Sequence, residues 1–275
     1  MWEELKMKRA LTIAGSDSCG GAGIQADLKA FAANGVYGMS VITAITAQNT
    51  MGVFDIQDIS PEIIKAQIKV IFDDIRVDSV KIGMVSKIES IKAIGEALRN
   101  VDNLPPIVLD PVMVSKSGFR LLSQNAKETL IKELIPLATL ITPNLPEAEE
   151  ILGGKIITIE EMKEAAVKLK DLGPKYVLVK GGHLENEATD LLYDGENFMY
   201  LEGERVNTIH THGTGCTLSS TIAANLAKGM GIRESVKDAK RYITIAIKNG
   251  FKLGNGVGPT HHFYELYKKA GICED

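Results

Sequence analysis

Three cysteines in 275 residues, Cys19, Cys216 and Cys273, are too few and too far apart for a disulfide framework. No Cys-x-x-Cys pair occurs, so a zinc site is not expected, and such cysteine usage implies a reducing cytoplasm. The chain has no run of about 18 apolar residues, so no helical membrane span is expected. Its start, Met1-Trp2-Glu3-Glu4, lacks the apolar core of a signal peptide, and residues 1–6 read as an extension before an alternative start at Met7. There is no excess of positive charge: 31 Lys and Arg against 35 Asp and Glu leave a net charge of −4. That balance excludes a broad nucleic-acid surface but leaves room for a small basic pocket. No linker, repeat or low-complexity tract divides the chain, so one domain over residues 1–275 is the simplest organisation.

What is present is ordinary for a soluble globular protein, with 45% apolar and 24% charged residues and length enough for a full core. Short apolar runs alternate with amphipathic segments. Strands are predicted near 10–14, 39–47, 79–82, 107–109, 140–142 and 176–179, with a hairpin of 191–193 and 198–201 around Asp194-Gly195. Helices are predicted near 24–34, 63–72, 88–98, 145–152, 159–169, 217–228, 234–249 and 261–269. Strand-then-helix alternation specifies an α/β fold with a mainly parallel sheet wrapped by helices. Ligands of such sheets bind beyond the carboxyl ends of the strands.

Several motifs fall at those ends. His212-Gly213-Thr214-Gly215-Cys216 is a glycine loop that runs into an apolar helical pattern. Unpaired N–H groups at the positive end of a helix receive phosphate. Gly213, Thr214 and Gly215 are therefore candidates to neutralise charge on a transferred phosphoryl group. Cys216 at the helix start is expected to have a lowered thiol pKa and to accept a proton from a substrate hydroxyl; the alternative is a small packed cysteine. His210 and His212 flank the loop and read as structural or nucleotide-neighbouring.

Gly15-Ser16-Asp17-Ser18-Cys19-Gly20-Gly21-Ala22-Gly23 follows a strand and opens a helix. Part of it matches a dinucleotide-binding pattern, but no acid follows about 20 residues on. It reads as a flexible turn, or as a loop approaching a small substrate with Asp27 as acceptor one turn into the helix. Gln48, in Thr46-Ala47-Gln48-Asn49-Thr50, offers donor and acceptor to an aminopyrimidine edge, or is an exposed strand-end amide. Asp110 ends a strand before Pro111, and Thr142-Pro143-Asn144 ends another. Asn144 and Glu147 have capping-box spacing. Alternatively Asp110, Asn144 and Glu147 converge around Mg²⁺. Lys180, before Gly181-Gly182-His183, can reach ATP phosphates as a point charge.

In combination and order these blocks, with Lys81-Ile82-Gly83-Met84, resemble the hydroxymethylpyrimidine/phosphomethylpyrimidine kinases of thiamin biosynthesis, a ribokinase-superfamily group. Relatives in that superfamily carry Asp as base where this chain has Cys216; many members of the family carry Ser at Cys19. The resemblance implies a ribokinase-like three-layer fold with helices on both sheet faces, commonly a dimer. It implies ATP-dependent phosphorylation of 4-amino-5-hydroxymethyl-2-methylpyrimidine and then of its monophosphate, in the cytoplasm, with no nucleic acid or membrane partner. Gln48 and Asp27 would hold the pyrimidine, with Gly15 and Met84 lining the pocket. Asp110 and Glu147 would organise Mg²⁺, while Asn144, Lys180 and the 213–216 loop would handle ATP. The alternative is a pyridoxine or pyridoxal kinase of the same superfamily.

Overall fold

The computed structural model describes residues 7–113, 122, 124–182 and 188–273. Residues 1–6, expected to be an extension, and His183 lie outside the described residues. The strands are β1 (Arg9–Asp17), β2 (Tyr37–Asn49), β3 (Gly52–Asp58), β4 (Ser79–Ile82), β5 (Ile107–Leu109), β6 (Leu140–Ile141), β7 (Tyr176–Val179), β8 (Asp190–Tyr193) and β9 (Phe198–Leu201). They form one sheet in the order β3-β2-β1-β4-β5-β6-β7-β8-β9. The run from β2 to β7 is parallel, and β3, β8 and β9 add antiparallel edges.

The helices are α1 (Gly23–Ala33), α2 (Pro61–Asp74), α3 (Ile88–Arg99), α4 (Gln124–Glu133), α5 (Leu145–Leu152), α6 (Ile159–Lys170), α7 (Thr214–Ala227), α8 (Ile232–Lys248) and α9 (Tyr264–Lys269). The strand period of two sorts side chains between two cores. Leu11, Ile13, Ile107, Leu109, Val177 and Val179 face one core, with residues of α2 to α6. Ala10, Val108, Leu140 and Leu178 face the other, with Phe31 of α1 and residues of α7 and α8. Two helical layers therefore enclose the sheet, as a buried parallel sheet requires. This is the ribokinase-like architecture.

Three elements differ from the sequence expectation. α4 was not expected: the Gln124–Glu133 stretch is mostly polar, so it shows little apolar helical period. β3 was not expected: as an edge strand with exposed Phe54, it lacks a buried face to impose a clean alternation. α7 begins at Thr214, three residues before the predicted start, because Gly213 adopts a left-handed conformation (φ 79°) that starts the helix at once. Thr214, Gly215 and Cys216 are thereby its first turn.

Candidate active site

The carboxyl ends of β1, β2, β4, β5, β6 and β7 bring most of the expected residues to one edge of the sheet. At β5, Asp110 is buried and its Oδ1 accepts from Thr142 Oγ1 at 3.0 Å and from Lys180 Nζ at 2.8 Å. The same ammonium lies 3.9 Å from Glu147 Oε2. Asn144 and Glu147 do form the reciprocal capping box of α5, with both bonds at 2.8 Å. Cap and convergence are therefore both present: capping fixes the Glu147 carboxyl where Lys180 can share it with Asp110. Despite burial, Lys180 and Lys81 hold Asp110 below the usual carboxylate range. Burial pushes Glu147 up to about 7; Lys180 opposes this and Asp110 adds to it. Burial also opposes the charge on Lys180, but the Asp110 and Glu147 carboxylates keep its pKa above the ordinary lysine value.

The first turn of α7 faces this cluster. A Cβ placed on Gly215 would lie 3.4 Å from both Asp110 Oδ2 and Lys180 Nζ. Thr214 Oγ1 donates to the Thr211 carbonyl at 2.8 Å, which ties the loop behind the helix. A Cβ on Gly213 would come within 1.8 Å of the Gly21 carbonyl, so the loop from β1 packs directly against the loop into α7. His212 completes that junction: its Nε2 lies 2.9 Å from Asp17 Oδ2. The Asp17 carboxylate also accepts from the amides of Cys19, Gly21 and Ala22 at 2.8–3.0 Å. Burial raises its pKa, but His212 and these amides bring it below the usual range. Asp17, Cys19 and His212 thus lie within 4.8 Å of one another, a grouping invisible in sequence spacing. With its oxygens bound by the loop itself, Asp17 clamps the loop that leaves β1 and joins it to His212.

Cys216 departs from expectation. Its thiol pKa is raised to about 11, chiefly by burial, with Asp27 and Asp110 adding to the rise. The Lys81 charge and the Gly23 amide oppose it, as does the helix start, but desolvation is the larger effect. The expected fall is therefore corrected: position at a helix N-terminus was visible in sequence, the packed surroundings were not.

Asp27 is also placed differently from the expectation. It is fully buried and accepts from Thr12 Oγ1 (2.6 Å), Ser220 Oγ (2.6 Å) and Lys81 Nζ (3.0 Å). This arrangement puts it in the wall behind the cleft, where its oxygens are already engaged, rather than in a free acceptor position. Gln48 remains half-buried; its Oε1 accepts from Thr46 Oγ1 at 3.2 Å and its Nε2 lies 3.4 Å from His212 Nε2. Gly15 and Met84 are in contact, since a Cβ on Gly15 would lie 3.1 Å from the Met84 sulfur. Lys81 and Asp17 are the site groups to which sequence reasoning gave no role. The signal for Lys81 was a lysine inside an otherwise buried strand, Ser79-Val80-Lys81-Ile82.

A cavity of about 1060 Å³ lies at the opposite ends of the strands, lined in part by Lys65, Lys69, Phe72 and Arg76. Those three cations are paired with Glu96, Asp73 and Asp78. The cavity lacks the convergence seen at the carboxyl ends.

Comparison with known proteins identifies the family of the chain. The family described as Phosphomethylpyrimidine kinase matches residues 17–261. A hydroxymethylpyrimidine/phosphomethylpyrimidine kinase of Rhizobium meliloti (strain 1021) is 52% identical over 94% of this chain and 98% of its own. A solved phosphomethylpyrimidine kinase from Clostridium difficile 630 is 55% identical, with a TM-score of 0.79, over 88% of this chain and 100% of that one. The pyridoxal kinase of Bacillus subtilis, solved as an ADP complex, is 42% identical with a TM-score of 0.87, over 95% of this chain and 100% of its own. The chain belongs to the phosphomethylpyrimidine kinase family and is a kinase of that family.

Proposed function

We propose that this chain transfers the γ-phosphoryl group of ATP to 4-amino-5-hydroxymethyl-2-methylpyrimidine and then to the resulting monophosphate. The observation that carries the reading is the meeting of the α7 first turn with Asp110, Lys180 and Glu147. A helix-start anion site and a lysine beside two carboxyls make a phosphoryl-transfer site. Asp110 and Glu147 fit Mg²⁺: two buried oxygen donors already share one cation, Lys180. When bound, Mg²⁺ supplies neutralisation of phosphate charge.

Lys180 supplies a positive charge to the phosphates, beside the amides of the 213–216 loop, and Asn144 holds Glu147 in place through the cap. Gln48 pairs with the aminopyrimidine edge, and Gly15 and Met84 line the ring pocket. Asp27 supports that pocket from behind. In the transfer, the acceptor oxygen forms a bond to phosphorus as the bond from phosphorus to the ADP oxygen breaks. Cys216, as thiolate, takes the acceptor proton: the O–H bond breaks and an S–H bond forms. The raised thiol pKa makes that thiolate a minority species at neutral pH, so the transfer speeds up as pH rises.

The same reading includes a homodimer and a cytoplasmic location. Tyr37, Ile45, Met51 and Phe54 expose large apolar surface on or between β2 and β3, which suits a second copy. Among the described residues no helix is long and apolar enough to cross a membrane. Incubation with Mg-ATP and hydroxymethylpyrimidine, followed by mass spectrometry, tests the chemistry. Sequential gain of one and two phosphates is expected; no phosphorylated pyrimidine would remove the proposal.

A further inference from the structure

Lys81 and Asp27 form an ion pair at 3.0 Å with both side chains fully buried. Removing two charges from water costs several kcal/mol per ion, and an apolar pair of similar volume often serves stability as well or better. Stability alone is therefore a poor account of this pair. Its place in the fold supplies a better one. Asp27 lies one turn into α1, and Ser220, which donates to it at 2.6 Å, lies one turn beyond Cys216 on α7. Thr12 of β1 donates to the same carboxylate at 2.6 Å, and Lys81 reaches it from β4. One buried carboxylate thus ties together the two helices whose first turns meet at the Cys216 thiol, and one ammonium balances it. Space is reserved for that ammonium: a Cβ on Gly83 would lie 2.5 Å from Lys81 Nζ.

The charged groups that face Cys216 are Lys81 from β4, Asp27 from α1, Asp110 from the end of β5 and Lys180 from beyond β7. The two acids disfavour a thiolate. Lys81 is the foremost of the influences that favour it.

We infer that Lys81 is a positioning residue of the phosphoryl transfer: its buried ammonium balances Asp27, the carboxylate that joins α1 to α7, and favours negative charge on Cys216. The inference rests on the proton-accepting role given above to Cys216. It assigns Asp27 to holding this cation.

The test measures alkylation of Cys216 by iodoacetamide at about pH 8.5, below the thiol midpoint, where the rate tracks the thiolate fraction. Peptide mass spectrometry follows Cys216, with Cys273 as internal reference. In Lys81→Met the Cys216 rate is expected to fall about tenfold, the equivalent of one pKa unit. In Asp27→Asn, which removes the ammonium's ion-pair partner and one of the two acids facing the thiol, it is expected to rise. Lys81→Met leaves a lone buried carboxylate, so the comparison is repeated between Asp27→Asn and Asp27→Asn/Lys81→Met. Those two differ only in the lysine, and the second should react more slowly. Loosened packing alone would expose the thiol and speed every variant; that outcome, or equal rates, overturns the inference. Turnover by Cys216→Ala is the separate check: normal turnover with split alkylation rates overturns the role of Cys216, while its loss with equal rates overturns that of Lys81 alone.

Discussion

Lys180 Nζ lies 2.8 Å from Asp110 Oδ1, a pair drawn from strand ends 70 residues apart. The ammonium also stands 3.9 Å from Glu147, so one cation is shared by two buried carboxyls. Such a shared cation prepares the place where Mg²⁺ and phosphate charge must be balanced, and it favours the charged form of both acids.

Glu147 carries the clearest pH consequence. Its folded pKa, near 7, lies above the ordinary glutamate value of 4.5. Between those values the folded state holds a proton that the unfolded chain has released, so stability falls as pH rises. The stabilising contribution is complete below 4.5 and is lost as pH passes about 7. Ligand-free protein should therefore lose thermal stability relative to Glu147→Gln across this interval, measured by paired melting curves. Glutamine can still cap α5. A constant difference between the two curves would contradict the assignment.

Replacing Cys216 by alanine should lower kcat by about 10²–10⁴, the usual contribution of a positioned acid or base. The KM for ATP should change little, because the amides of the α7 first turn remain. In the unmodified protein, log kcat should climb with a slope near one from roughly pH 7 to 9 when chemistry limits turnover. Single-turnover rates across that range check both statements; a flat profile would exclude a thiolate base.

Gln48→Ala removes contacts to the bound ring in ground and transition states alike. The pyrimidine KM should rise about tenfold while kcat holds within a few fold. Steady-state kinetics with varied pyrimidine decide this, and an unchanged KM would remove Gln48 from recognition.

Gly213→Ala should be costly in both stability and turnover. The added Cβ would meet the Gly21 carbonyl at 1.8 Å, and the φ of 79° disfavours any L side chain. A loss of about 1–3 kcal/mol from backbone strain alone is expected, with more from displacing one loop off the other. Denaturant unfolding and kcat measured on the same preparation test it; near-native values would show that the two loops are not packed as described.

Much of this site was legible because its residues sit immediately after apolar strands. Asp110 after Ile107–Leu109 and Lys180 after Tyr176–Val179 could be placed at carboxyl ends from alternation alone. The Asn144 and Glu147 cap was legible from its spacing of three. The rest depended on contacts between distant segments. The ion-pair partner of Asp27 is Lys81, 54 residues away, and only the placement of α1 against β1, the strand beside β4, shows that the carboxylate is engaged. Cys216 shows the same limit: its helix-start position argued for a lowered pKa, whereas burial beside two acids raises it. Among the strands, β3 escaped notice because an exposed edge imposes little hydrophobic alternation.

The central claim is tested most directly by kcat/KM measured in one coupled assay for hydroxymethylpyrimidine, its monophosphate, pyridoxal and pyridoxine. The architecture is shared with pyridoxal kinases, so the acceptor must be decided by rate. The account predicts that both pyrimidines exceed both pyridoxine-type substrates by at least about tenfold, a difference of roughly 1.4 kcal/mol in transition-state stabilisation. Equal or higher values for pyridoxal would contradict it.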